Sequence, residues 1–296
     1  MHLQHAWRSP CTRRLWRICV PLSLHTRFRQ RHPFIIDRTA SFPLPVVAFP
    51  CASTGRPTTR GCRWCSGCTV EASPSEISIR TKEYLRKLSI ASQAVIVSVD
   101  YRLAPEHPCP AALDDCRSVW EWITSAPDEL RSVDVTRVVI AGESAGGTLT
   151  FALAQQLHET GLPCPLAQIS LYGTAVMEVT NPEYATALLS PEDCHWFWDM
   201  YVPDPADRRS VQASPGLAGD LVGLPPAFVA TAEVDPTRDG TEEYARRMQE
   251  SGVPVELRRY DGMMHGFATM TAVLPAAEEL FHEIVAYLSG VFASPE

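Results

Sequence analysis

The sequence predicts an α/β protein built on a doubly wound, mostly parallel β-sheet, and three observations indicate this class. From residue 76 onward, short runs of β-branched and apolar residues alternate with segments of helical periodicity. One such run, residues 138–141, enters a Gly-x-Ser-x-Gly turn and continues as an apolar helix. An apolar share of 45% over 296 residues is ample for a buried core.

The predicted elements follow one another in a regular order. Helical spacing of apolar residues predicts a helix over residues 76–92, and an unbroken apolar run predicts a buried strand over 94–100. Further helices are expected over 111–124, 146–159, 238–250 and 276–291, and further strands over 138–141, 168–172, 227–232 and 255–259. A long irregular insert occupies residues 173–222. In such sheets, ligands are expected at the carboxyl ends of the strands.

Charge and cysteine are distributed unevenly along the chain. The net charge is −8, yet residues 1–75 carry eleven Arg, no Lys and two acidic residues, which gives +9. The same segment holds six of the ten cysteines. Because one folding unit rarely has two such compositions, we expect an anomalous Arg-, Cys- and Pro-rich segment over 1–75 and a folded domain over 76–296.

The totals also bear on partners and compartment. No apolar run approaches the ~18 residues of a membrane span, and the basic start is too broken by proline for a secretory signal. A targeting segment or nucleic-acid-binding arm is an alternative for that start, but interleaved aromatic residues are missing. We therefore expect no nucleic-acid partner. The four remaining cysteines are scattered, which is typical of reduced core thiols and predicts a cytoplasmic location. A homo-oligomer is left open. The candidate thiols are Cys109, Cys116, Cys164 and Cys194.

Three residues are candidates for nucleophilic catalysis. Ser144 lies in the strand-to-helix turn, Asp235 follows one predicted strand, and His265 follows the next. A serine hydroxyl needs a histidine to remove its proton, and the histidine needs a carboxylate to orient it. Each has a plainer alternative: a helix-capping serine, an aspartate capping the helix after Pro236, and a polar loop histidine. Their joint occurrence favours catalysis.

These residues and their neighbours resemble the hormone-sensitive-lipase-like family, family IV, of α/β-hydrolase esterases. The resemblance covers about residues 76–293 and is carried by five short motifs. They are DYRLAPEHP at 100–108, GESAG at 142–146, LPP at 224–226, DP-RD at 235–239 and HGF at 265–267. Their order, with Ser before Asp before His, is that of α/β-hydrolases.

The resemblance implies a function and roles. It implies an α/β-hydrolase fold with helical cap elements and hydrolysis of short- to medium-chain carboxylic esters through an acyl-serine intermediate, without metal or cofactor. By position, Ser144 matches the nucleophile, Asp235 the triad acid, His265 the general base and then acid, and the Ala145 N–H one oxyanion-hole donor. The insert should help to form an apolar substrate pocket, although core packing is an equal alternative for any one of its aromatic residues. These side chains are Trp196, Phe197, Trp198, Met200 and Tyr201.

One family motif is missing. The family has His-Gly-Gly-Gly upstream of DYRLAPE, where glycine N–H groups complete the oxyanion hole, and residues 1–99 contain nothing similar. A displaced reading frame is one explanation. Suppose that each true codon consists of the last base of the preceding printed codon and the first two bases of the printed one. Thr69 then becomes His, and the next three positions can become Gly. Positions 62–68 can then read Val-Pro-Val-Val-Leu-Trp-Leu, a buried strand.

Two other interpretations depend on the printed residues being real. Cys62-x-x-Cys65-x-x-Cys68, with Cys51 nearby, has the spacing of a zinc or iron–sulfur site, but an out-of-frame GC-rich stretch produces such clusters without purpose. We therefore expect no metal. The second interpretation is a catalytically impaired or non-catalytic small-molecule-binding homologue, which the missing glycine motif favours and the presence of His265 opposes.

Overall fold

The computed structural model describes residues 34–35, 46–49, 64–65, 79–99, 101–131, 133–179 and 188–293. Within these ranges the strands are β1 Phe34–Ile35, β2 Val46–Phe49, β3 Trp64–Cys65, β4 Val95–Val99, β5 Val139–Glu143, β6 Ala167–Leu171, β7 Ala227–Val234 and β8 Val255–Met264. The α-helices are α1 Ile79–Ser92, α2 Ala111–Thr124, α3 Ala145–Glu159, α4 Pro191–Tyr201, α5 Arg238–Glu250 and α6 Pro275–Ala293.

Apart from β1, β2 and β3, residues 1–75 lie outside the described ranges. The expectation that this segment is poorly folded therefore concerns residues that the structure does not describe. The same holds for the Cys51, Cys62 and Cys68 side chains of the proposed metal motif.

The eight described strands form one sheet in the order β1-β4-β3-β2-β5-β6-β7-β8, with a further pairing of β2 to β4. β5, β6, β7 and β8 are parallel to one another. β2 is antiparallel to both β4 and β5, and β3 is parallel to β4, so β3 and β4 run in the same direction as β5–β8. The predicted doubly wound, mostly parallel sheet is confirmed.

Successive residues of a strand point to opposite faces of the sheet. Both faces carry apolar side chains here, and helices cover both. Val139 packs in one core cluster with Tyr84 of α1 and Phe281 of α6, whereas its neighbour Ile140 packs in another with α2 and α3. α5 packs on the α3 side, where the rings of Phe151 and Tyr244 lie 5.1 Å apart in an edge-to-face arrangement. The sheet is therefore buried between two helical layers.

Predicted and observed elements differ mainly at strand ends. Residues 111–124 and 238–250 are helical as predicted, but β8, predicted over 255–259, continues to Met264. It does so because its extension stays paired with β7, with Val234 opposite Met264. The loops that carry Asp235 and His265 consequently begin directly at the ends of β7 and β8.

The insert contains one regular helix, α4, within the described residues 173–179 and 188–222. Its start is fixed by Pro191 in the first turn and by a reciprocal capping box between Ser190 and Asp193. Four cysteines have described side chains, all free thiols: Cys116 and Cys194 are buried and Cys109 is half-buried. Cys164 is exposed, so the expectation of a core thiol is wrong there.

Candidate active site

Ser144 lies at a sharp turn between β5 and α3. Its backbone has φ 54° and ψ −127°, which is a strained conformation for a residue with a side chain. The turn is so tight that a Cβ on Gly142 would lie 2.2 Å from the carbonyl carbon of Gly146. The Ser144 N–H donates to the Leu171 carbonyl at 2.9 Å, which ties the turn to β6. The local sequence therefore holds the serine hydroxyl at the carboxyl edge of the sheet.

The structure brings Ser144, His265 and Asp235 into one hydrogen-bonded chain. Ser144 Oγ lies 2.7 Å from His265 Nε2, and His265 Nδ1 lies 2.7 Å from Asp235 Oδ2. The residues come from the ends of β5, β7 and β8, which are parallel and so end at the same edge. This arrangement suits transfer of the serine proton to the imidazole, with the carboxylate fixing its tautomer.

Asp235 divides its two carboxylate oxygens between two tasks. Oδ2 faces His265, while Oδ1 accepts hydrogen bonds from the Thr237 N–H at 2.9 Å and the Thr237 hydroxyl at 2.8 Å. The side chain is 1% exposed. Burial by itself raises the pKa of Asp235, but His265 and Thr237 outweigh it and lower the pKa overall. The helix that follows begins at Arg238 and has no side-chain cap, so Oδ1 holds the turn before the helix and Asp235 is not its cap.

His265 directly follows β8 and precedes Gly266, whose φ of 82° favours glycine. Burial of the imidazole lowers its pKa, whereas the charge and hydrogen bond of Asp235, and then the charge of Glu143, raise it above the ordinary value. The net effect is a raised pKa. The ring is therefore a stronger base than a histidine in water, as removal of a serine proton requires.

Two neighbours of the triad carry no signal strong enough to single them out in the sequence. The Tyr172 hydroxyl donates to a carboxylate oxygen of Glu143, the residue before the nucleophile. The Tyr172 ring lies 5.0 Å from the His265 ring, between centroids. An acidic residue inside the turn and a tyrosine just after a strand were the available hints.

Ala145 is the first residue of α3. Backbone N–H groups in the first turn of a helix have no intrahelical acceptor, and they point toward anions approaching the helix start. The first hydrogen bond of the helix is made by Thr148 N–H to the Ser144 carbonyl at 3.1 Å. The geometry suits the expected role of the Ala145 N–H. Positions 69–72, where the missing motif is expected, lie outside the described residues.

The α4 helix of the insert carries a buried thiol that senses the charge of Asp235. Burial raises the pKa of the Cys194 thiol to about 12, with a further contribution from the charge of Asp235. Trp198 of the same helix is buried, whereas Trp196 is 57% exposed and its ring contacts Phe197 at 5.0 Å. The aromatic residues thus divide between core packing and the surface.

No group of three or more His, Cys, Asp and Glu side chains among the described residues is arranged to hold a metal ion. No α-helix among them combines the length and apolarity needed to cross a bilayer.

Comparisons with known proteins agree with this geometry. A family model described as alpha/beta hydrolase fold matches residues 67–269. The chain is 39% identical over 202 residues to carboxylesterase NlhH of Mycobacterium tuberculosis, covering 66% of this chain and 63% of that protein. It is 33% identical over 189 residues to an ethyl acetate hydrolase of Pseudomonas putida, covering 62% of this chain and 59% of the relative. The matched part is thus less than two thirds of these relatives' length.

A solved structure gives the same result. The thermophilic carboxylesterase EstE1, cloned from a metagenomic library, superposes with a TM-score of 0.69 at 36% identity. The superposition covers 74% of this chain and 77% of EstE1. With a family match over more than half of the chain and a shared arrangement of strands, the chain belongs to the α/β-hydrolase family, in its hormone-sensitive-lipase-like branch.

Proposed function

We propose that this chain is a serine carboxylesterase that hydrolyses short- to medium-chain carboxylic esters through an acyl-serine intermediate. The observation that carries the proposal is the unbroken hydrogen-bonded chain from Ser144 Oγ through His265 to Asp235, with both distances 2.7 Å. The names of the relatives, carboxylesterase and ethyl acetate hydrolase, support the same reaction class.

The proposed reaction has two halves. Ser144 Oγ attacks the ester carbonyl carbon while His265 Nε2 takes the hydroxyl proton, and the Ala145 N–H donates to the developing oxyanion. The tetrahedral intermediate collapses, the C–O bond of the ester breaks, and His265 returns the proton to the leaving alcohol. Water then attacks the acyl-serine by the same route, releasing the acid and restoring Ser144. Asp235 stabilises the imidazolium in both halves.

For the substrate, we propose that α4 forms one wall of the acyl or alcohol pocket. The charge of Asp235 acting on Cys194 of α4, and the exposure of Trp196 beside the half-buried Phe197, support this assignment. An apolar wall suits esters of modest size because burying hydrocarbon is favourable by about 0.8 kcal/mol for each CH₂. The Pseudomonas putida relative is named for an ester of this kind, ethyl acetate.

We also propose that the remaining oxyanion-hole donors are encoded by codons 69–72 in a displaced frame, so that segment 1–75 is an altered form of the family's first strands. Supporting this, the family match begins at residue 67. β3 runs parallel to β4, and hence toward the sheet edge at which Ser144 lies. Its extent, Trp64–Cys65, falls inside the strand that the displaced frame yields at positions 62–68.

The test is hydrolysis of p-nitrophenyl butyrate by the printed chain and by a reframed chain, each beside its Ser144→Ala variant. Hydrolysis that disappears in Ser144→Ala supports the proposal. Hydrolysis that survives in Ser144→Ala would contradict it. The missing glycine motif favours a second function, a non-catalytic small-molecule binder, for the printed chain alone. Folded printed chain that binds a phosphonate ester analogue reversibly, without turnover, would select that function.

A further inference from the structure

Glu143 occupies a special place in the active site. It is the last residue of β5 and directly precedes the nucleophile. Its carboxylate is half-buried and accepts the hydroxyl hydrogen bond of Tyr172, a side chain from the end of β6. A carboxylate held by a donor from a neighbouring strand keeps one position, since each partner limits the rotamers of the other.

Tyr172 contacts two residues of the site, Glu143 through its hydroxyl and His265 through its ring. Its ring centroid lies 5.0 Å from that of His265, with a tilt of 58°, and 5.7 Å from that of Phe267. The tyrosine is 1% exposed, and its backbone is held at φ 41° with its N–H donating to the Ala230 carbonyl at 2.7 Å. A residue fixed in a strained conformation by its surroundings is typical of a functional site. Tyr172 thus connects the residue before the nucleophile to the ring of the base.

The charges around His265 come from two strand ends. Asp235, at the end of β7, is hydrogen-bonded to the ring, and Glu143, at the end of β5, acts through its charge. Tyr172, at the end of β6, is the third titratable group, and burial followed by the charge of Glu143 holds its pKa well above the ordinary value. The tyrosine therefore remains a hydroxyl donor throughout the working pH range.

We propose that Glu143 and Tyr172 form a positioning pair, in which Tyr172 fixes Glu143 and the His265 ring while Glu143 supplies a second negative charge for the imidazolium. The catalytic meaning of this pair rests on the proposed esterase function. Its physical basis is simple: when His265 takes the Ser144 proton it becomes a cation, and a fixed anion nearby stabilises that cation without reorganisation. The effect adds to that of Asp235, which is hydrogen-bonded to the imidazole at Nδ1.

The test measures the His265 imidazole directly and does not need turnover. Histidine ring resonances are followed by NMR against pH, with His265 assigned from a His265→Gln sample. Glu143→Gln retains an acceptor for Tyr172 but removes the charge, so we expect the pKa of His265 to fall by about one unit. Glu143→Asp retains the charge and should keep the pKa near the starting value. Tyr172→Phe keeps the ring and should lower the pKa by less than Glu143→Gln.

A second tyrosine–glutamate pair in the chain is a matched control. The Tyr260 hydroxyl donates to Glu283 of α6, in the same chemistry but without the neighbouring nucleophile. Glu283→Gln and Tyr260→Phe should leave the His265 pKa unchanged. Equal shifts in the two glutamine variants, or no shift in Glu143→Gln, would overturn the proposal. Thermal melting identifies any variant that fails to fold, in which case the Tyr172→Phe titration decides the matter.

The inference and the proposed function fail in different ways. An unshifted His265 in a chain that hydrolyses ester refutes the positioning pair and leaves the esterase standing. A shifted His265 in a chain without turnover supports the pair and counts against the esterase. If the chain is active, Glu143→Gln should lower kcat several-fold with little change in KM, because the charge acts when the imidazolium forms.

Discussion

Thr237 donates hydrogen bonds to Oδ1 of Asp235, the carboxylate oxygen that does not bind His265. Two hydrogen bonds, from the Thr237 N–H and hydroxyl, fix Oδ1, so that Oδ2 is aimed at the imidazole. The acid is therefore oriented by a residue only two positions away, within the turn that begins α5. Two of the predictions below depend on this arrangement.

The first prediction concerns the orientation of the triad. Asp235→Asn should lower kcat by about 10³–10⁴-fold, because an amide favours the wrong imidazole tautomer. Thr237→Val removes one hydrogen bond to Oδ1 while the N–H bond remains, and it should lower kcat by only about tenfold. Steady-state hydrolysis of p-nitrophenyl butyrate measures both. A Thr237→Val loss as large as that of Asp235→Asn would show that the backbone bond alone does not hold the carboxylate.

The second prediction concerns the pH dependence of activity. His265 must be neutral to accept the Ser144 proton, and its pKa is raised above the ordinary value. The rate constant kcat/KM should therefore fall as the pH decreases through an apparent pKa above ~6.5, the usual value for histidine. The full pH–rate profile measures this limb. An acid limb centred well below that value would contradict the charge environment described for His265.

The third prediction concerns stability. The lowered pKa of Asp235 gives a stabilisation that is present above its unfolded value and is lost as the pH falls through the folded value. The raised pKa of His265 gives one that is present below its unfolded value and is lost as the pH rises through the folded value. The stability advantage of wild type over Asp235→Asn should therefore be greatest between pH ~4 and ~6.5. Urea unfolding at three pH values tests this.

The fourth prediction concerns the nucleophile turn. Alanine at position 142 would place its Cβ 2.2 Å from the Gly146 carbonyl carbon, so β5 and α3 would have to separate. Gly142→Ala should destabilise the fold by about 3 kcal/mol or more, and abolish activity. Gly290→Ala is the control, because its Cβ would meet nothing within 4 Å, and it should stabilise α6 by about 0.5–1 kcal/mol. Chemical denaturation measures both.

The fifth prediction concerns the reading frame. Resequencing codons 35–85 should reveal a single-base insertion or deletion, with the frame restored between codons 73 and 81. Because each oxyanion-hole donor contributes about 10²–10³ in rate, the reframed chain should exceed the printed one by at least ~10²-fold. DNA that confirms the printed frame, with ordinary turnover by the printed chain, would contradict the displaced-frame proposal.

Much of the fold was predictable because its elements have strong local signals. The helices at 111–124 and 238–250 combine clear periodicity with distinct ends, and the Gly142–Gly146 turn marks the centre of the sheet. The end of β8 was not predictable from local sequence. Residues 260–264 include one acidic and one small residue, and the strand continues there across an irregularity, with Tyr260 and Met264 paired to β7 on either side. Tertiary pairing here overrides local preference.

The candidate site, like the fold, was predictable from the sequence only in part. Ser144, Asp235 and His265 could be nominated from their positions after strands, and the structure brings all three together. Tyr172 and Glu143 could not be linked in advance, because their contact depends on the relative height of β5 and β6 in the sheet. The oxyanion-hole donors proposed for positions 69–72 could not be read from the sequence, because no His-Gly-Gly-Gly stands there.

The order of the triad along the chain has a consequence for biosynthesis. Ser144 precedes His265 by 121 positions, and His265 follows Asp235 by 30. Because domains fold as the chain leaves the ribosome, the turn that carries Ser144 is synthesised well before His265. A nascent chain lacking β8 carries a serine of ordinary reactivity. The proposed hydrolytic competence therefore requires that β8 has joined β7 in the sheet.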